Sequence, residues 1–186
     1  MASDLDALRT IYALKQVQRR TKTGDRKESS AEHTFSCIAL AKLFLPRISP
    51  ALNERKVHDL LLIHDWVEIH AGDTFFLDHE HRLTQAEREI VAAKKLIHEL
   101  PSEIAAEYAG LHEEFEAQET REARFAKAID ALDPMVQAVD TPTEWSTHGF
   151  TEEILREKKL PMLHDFPPLI ELFEEIVNHL RRTGAF

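Results

Sequence analysis

The sequence predicts an all-α protein, a single-domain helical bundle. Three observations predict it. Apolar residues recur at spacings of three and four along the 186-residue chain rather than at every second position. Five glycines are few for a turn-rich β architecture. Ser29-x-x-Glu32 and Thr84-x-x-Glu87 have the pattern of capping boxes, in which side chains and backbone amides at a helix start satisfy each other.

Each element follows from its local pattern. A first helix is expected from about Asp4 to Arg19, with Leu5, Leu8, Tyr12 and Lys15 at helical spacing. The polar stretch Arg20 to Glu28 reads as a loop, the most basic part of the chain. The Ser29 box opens a second helix through Phe35, Ile38, Leu40, Phe44 and Leu45, stopped by Pro46; being apolar nearly all round, it is expected to be central. The third covers roughly Asn53 to His70 and ends before Gly72. The Thr84 box opens a fourth, carrying Ile90, Ile97 and Leu100 and closed by Pro101. Ser102 caps a fifth with Ile104, Tyr108, Leu111 and Phe115. Phe125, Ile129, Leu132, Val136 and Val139 mark a sixth. The last starts at Pro167-Pro168 and carries Leu169, Ile170, Leu172, Phe173, Ile176, Val177 and Leu180. No linker, repeat or low-complexity tract interrupts the chain, so one domain is expected over residues 1–186. Its core spans about 5–140, with C-terminal helices at about 150–182 packed on it.

Charge and composition exclude several classes. Lys plus Arg is 23 against 33 Asp plus Glu, a formal net charge of −10, which repels polynucleotide backbones and anionic membranes. The single cysteine, Cys37, rules out an intramolecular disulfide framework and fits a reducing compartment. No apolar run approaches a membrane span, and the first residues lack the basic and apolar regions of a signal peptide, so a cytoplasmic protein is expected.

The chemistry concentrates in His64-Asp65-Trp66-Val67-Glu68 and the following Gly72-Asp73. The third helix's inward stripe is Val57, Leu60, Leu61, His64, Val67 and Glu68, so its apolar face acquires a histidine and a carboxylate one turn apart. Polar and charged groups on such a face need compensation, and a metal ion is the simplest candidate. Asp65 lies about 100° around the helix from His64, so both side chains can reach one ion; a capping or salt-bridged Asp65 is the ordinary alternative. His33, in the first turn of the second helix, offers a third nitrogen or is a hydrogen-bonded core histidine. Cys37 reads as a small buried hydrophobe. Pro134 cannot donate to the carbonyl of Asp130, which loosens the helix there and makes Asp130 a ligand candidate; Asp133 competes, or precedes the proline in a turn. His70 is close enough to line a pocket, and Trp145 is a core anchor or a rim aromatic.

Three segments carry a resemblance: Arg26-x-Glu28-x-x-x-Glu32-His33, His64-Asp65-x-x-Glu68-x-x-x-Gly72-Asp73, and Phe125-x-Lys127-x-x-Asp130. Their order resembles the H…HD…D pattern of the HD-domain phosphohydrolases, and within these the five-prime deoxynucleotidase group, over roughly residues 5 to 140. The resemblance implies that His33, His64, Asp65 and Asp130 hold one divalent ion between central helices, that Glu68 assists the attacking water, and that Asp73 contacts the sugar. It implies that basic residues before His33, Arg19 and Arg26 with Lys27 as a further candidate, bind the phosphate. The aromatic residue often found after the family's arginine is Arg20 here.

Two nitrogens and two carboxylates suit Mn, Fe, Co, Ni or Zn. The expected activity is hydrolysis of deoxyribonucleoside 5'-monophosphates. The competing readings are another phosphomonoester or a nucleoside triphosphate, and a non-catalytic metal-stabilised helical module. The resemblance supports a homodimer, for which apolar residues near Trp145 to Phe150 and in the C-terminal segment are the expected interface.

Overall fold

A computed structural model describes residues 3–75, 78, 80, 83–141 and 149–186. The all-α class holds: helices dominate, with a two-stranded antiparallel hairpin beside them. The chain forms two compact units, each assembled from two segments: residues 1–35 with 59–117, and residues 36–58 with 118–186.

The first unit opens with α1, Asp4–Tyr12, capped by the Ser3 hydroxyl, which accepts from the Asp6 amide. It stops well short of Arg19. A 3-10 turn, Ala13–Gln16, leads into strand β1, Gln18–Thr23, which pairs with β2, Arg26–Ser29. The expected helix end and basic loop are thus a hairpin turning at Gly24-Asp25, with Gly24 at φ 59°. A strand with no apolar alternation gives no periodic signal, which is why the residues read as loop. The apolar edge expected on α1 also faces outward: Leu5, Leu8 and Tyr12 are exposed, whereas Ala7 and Leu14 are buried.

Helix α2, Ser30–Phe44, continues from the hairpin, its residues up to Phe35 belonging to the first unit and those from Ser36 to the second. Its buried face is Ser30, His33, Thr34, Cys37, Ala41 and Phe44; Phe35, 74 % exposed, and Leu43 point to solvent, so it is not covered all round. Helix α3, Glu54–Ile63, ends before the histidine motif, and a short α4, Glu68–Ala71, follows it. The expected continuous helix to His70 is therefore broken. Helix α5, Gln85–Glu99, starts after Thr84, but the Thr84 side chain makes no capping hydrogen bond, so the second expected box does not form. Helix α6, Ser102–Ala117, completes this unit. Packing of α1 and α4 on α5, and of α5 on α6, encloses Ile63, Trp66, Leu96, Leu100 and Tyr108, with Trp66 stacked on Tyr108 at 5.9 Å between ring centroids.

In the second unit α7, Arg121–Ala138, is capped by Thr120 and runs through Pro134. Helices α8, Glu152–Leu163, and α9, Pro167–Thr183, pack on it and on each other. Phe125 and Phe166 meet edge to face at 5.1 Å, and the apolar stripe of α9 is buried at Leu169, Phe173, Ile176, Val177 and Leu180. Those residues are consequently not an exposed interface. Trp145 lies outside the described residues.

Candidate metal centre and active site

The start of α2 is fixed from both sides. The Ser29 amide and hydroxyl donate to Glu32 Oε2 at 2.9 and 2.8 Å, and the Glu32 amide donates back to Ser29 Oγ at 3.3 Å, so the first expected capping box forms. The Ser30 amide donates to the Val17 carbonyl at 3.0 Å, tying the helix to the residue before β1. His33, one turn in, is fully buried.

The histidine motif sits on a tightened turn. The amides of Trp66, Glu68, Ile69 and His70 each donate three residues back, to Ile63, Asp65, Trp66 and Val67. His64 Nδ1–H donates to the Leu61 carbonyl at 2.7 Å, which fixes the tautomer and leaves Nε2 as the basic nitrogen. That Nε2 lies 3.2 Å from Asp65 Oδ1, while His33 Nε2 lies 3.9 Å from Asp65 Oδ2. The two imidazoles are 5.4 Å apart, and His64 is backed by the Phe115 ring at 5.5 Å. Two buried imidazole nitrogens converging on one carboxylate, one of them oriented by a backbone carbonyl, is donor chemistry that fits a divalent transition ion.

Acids surround this group, and Arg19 lies against three of them. Arg19 on β1 lies 3.5 Å from each of Glu28 Oε2, Asp65 Oδ2 and Asp73 Oδ1. The strand register shifts between Gln18 and Lys22, the stretch that carries Arg19, and such irregularities re-aim side chains. Glu68 accepts from Ser30 Oγ at 2.6 Å. Burial pushes the Glu68 carboxyl well above the usual carboxylate range, the Asp65 charge adds to the rise, and Arg19 opposes it.

The first unit therefore brings together Arg19, His33, His64, Asp65, Glu68 and Asp73. Asp130 belongs to the second unit, on α7, where Lys127 Nζ is 3.2 Å from its carboxylate. Asp133 is buried within the same helix and not in a turn. Arg26 is exposed at the start of β2 and forks onto both Glu32 oxygens. Arg20 lies over the Phe75 ring at 5.0 Å and 3.9 Å from Asp78. His70 pairs with Glu99 at 2.8 Å. Cys37 is buried. Sequence reasoning gave no role to Glu28 and Ser30: Glu28 stood inside a quoted motif, whereas a serine opening a helix carries no signal beyond capping.

This arrangement meets known proteins. The HD domain family model matches residues 11–169, and the chain belongs to the HD-domain family. The 5'-deoxynucleotidase HDDC2 of Bos taurus is 31 % identical over 175 residues, covering 92 % of this chain and 83 % of the bovine protein. The 5'-deoxynucleotidase HDDC2 of Mus musculus is 28 % identical over 184 residues, covering 96 % and 90 %. A crystal structure from Magnetospirillum magnetotacticum MS-1, named a predicted metal-dependent phosphohydrolase, superimposes with a TM-score of 0.88 at 35 % identity, covering 98 % of this chain and 93 % of that one.

Proposed function

We propose that this chain is a metal-dependent phosphohydrolase that releases phosphate from deoxyribonucleoside 5'-monophosphates. The observation that carries this reading is the convergence of His33, His64 and Asp65 beside Arg19, Glu68 and Asp73 in one compact unit. The names of the bovine and murine relatives supply the substrate class.

In this reading His33, His64, Asp65 and Asp130 hold one divalent ion, of Mn, Co, Fe, Ni or Zn, with Asp130 assigned by the order of the family pattern. Such an ion supplies Lewis acidity to a phosphate oxygen and brings the pKa of water towards neutrality. Glu68 accepts the proton of the attacking water and passes it to the leaving sugar oxygen as the bond from phosphorus to that oxygen breaks. Arg19 and Arg26 bind the non-bridging phosphate oxygens through charge-assisted hydrogen bonds, Arg26 by exchanging Glu32 for the substrate. Asp73 accepts from a sugar hydroxyl.

The reading takes residues 1–186 as one functional domain, supported by a family match over residues 11–169 that includes parts of both units. Among the described residues no helix is long and apolar enough to cross a membrane, and the reading places the protein in the cytoplasm. A homodimer completes it, supported by the exposed Leu5, Leu8 and Tyr12 on one side of α1; sedimentation at micromolar concentration reads the mass directly. Turnover of dAMP compared with dATP and with a sugar phosphate lacking a base tests the substrate class. Preference for dAMP is expected, and a preference for dATP overturns the monophosphate assignment.

A further inference from the structure

We infer that Arg88, on α5, is a positioning residue that sets the place of Asp73. The inference rests on the reading above, in which Asp73 meets the sugar.

The chain leaves α4 by a sharp reversal at Gly72, with φ 75° and ψ 155°, a conformation that side chains rarely adopt. Asp73 follows at once, and its carboxylate lies 3.5 Å from Arg19 Nη1. Asp65 lies 3.5 Å from the same nitrogen, so Asp73 shares that cation with a like charge. Repulsion between the two carboxylates favours swinging Asp73 out to water, and a restraint on its backbone opposes that.

Arg88 supplies it. One guanidinium nitrogen donates to the Ala71 carbonyl at 2.7 Å and the other to Thr74 Oγ1 at 2.8 Å. The fork thus grips the residues on either side of Gly72-Asp73. The Ala71 carbonyl ends a helix and has no next turn to accept from, so a cationic donor there is well matched. The planar geometry of the guanidinium lets one side chain satisfy both acceptors with fixed spacing, which an ammonium cannot reproduce. His70 with Glu99 makes a second tie between α4 and α5, placing the segment against a helix rather than leaving it to move as a free loop. Both of these bonds are to residues flanking Gly72-Asp73, so they act on Asp73 through the backbone.

The test combines exchange and kinetics on the metal-loaded full chain. Arg88→Ala should speed amide exchange across residues 72–74 by about tenfold or more while exchange in α3 and α6 stays as in the parent. KM for dAMP should rise about tenfold with kcat within about twofold, the pattern of lost uniform binding. The same change in an Asp73→Ala background should add almost nothing to KM, because both act through one group. Millimolar guanidinium ion should lower the KM of Arg88→Ala and leave the parent unchanged. Arg88→Lys, which keeps the charge but loses the fork, should show the same KM rise and serves if the alanine variant does not fold. Unchanged exchange across 72–74 overturns the clamp. A KM loss that adds fully to that of Asp73→Ala overturns the route through Asp73. If the parent releases phosphate from no monophosphate, the functional reading fails, and exchange alone then decides whether Arg88 holds the segment.

Discussion

Arg19 carries the charge balance of the site, because Glu28, Asp65 and Asp73 all reach it at 3.5 Å. Its side chain is 12 % exposed and that of Glu28 is 1 % exposed, so these charges are only weakly screened by water. Arg19→Ala removes the cation these three acids share, and urea denaturation of the metal-free protein should show a loss of about 3–5 kcal/mol. Glu68 has the opposite character. Its folded-state carboxyl is raised by burial, so ionising it opposes folding as pH rises, and the protein tolerates a group that costs stability. Glu68→Gln should therefore raise the melting temperature of the metal-free protein, lower kcat by about 10²–10⁴-fold, and leave bound metal unchanged by elemental analysis. His64 and Glu68 stood out in the sequence because they break an apolar stripe, Asp65 because it adjoins them, and Asp73 through the family resemblance. The Arg19 hub was not, since its partners Glu28, Asp65 and Asp73 come from three separate elements, and only folding sets them together.

At the scale of the element, the two departures from the expected helices lie at the site itself. The hairpin replaces a helix end and a loop, and its strands have no buried alternating face to announce them; the signal that existed was the two-residue turn Gly24-Asp25. The turn at residues 64–67 replaces a continuous helix, because bonds three residues back re-aim His64 and Asp65 relative to α3. Helical spacing put Asp65 about 100° around from His64 on a continuous helix and missed the break. Gly72 ends α4 in a conformation that an alanine adopts only under strain, so Gly72→Ala should cost about 1–3 kcal/mol by thermal unfolding and raise KM through Asp73. The junction of β2 and α2 has its own pH signature. Arg26, then Ser29, hold the Glu32 carboxyl down at about 2 against an ordinary 4.5. A lowered folded-state pKa stabilises the fold above about 4.5, and this contribution disappears as pH falls from there towards about 2. Glu32→Gln should flatten that part of the stability curve, as read by urea midpoints across the acid range.

At the scale of the whole molecule, the helical class followed from spacing and composition alone, and the family from the order of His33, His64-Asp65 and Asp130. Which apolar residues are buried was less legible. Leu5, Leu8 and Tyr12 form a helical stripe as regular as that of α9, yet one faces water and the other is core; periodicity shows that a face exists, not what covers it. An ion that binds only the folded chain stabilises it by mass action, about 2.7 kcal/mol at a hundredfold excess over Kd. The measurement closest to the central claim uses that dependence. The protein is stripped with chelator, reloaded with Mn or Co, and assayed for phosphate release from dAMP, dGMP, dCMP and TMP. Release from at least one of them after reloading, and from none before it, is the predicted result. No release from any of the four by the reloaded protein would contradict the proposed activity.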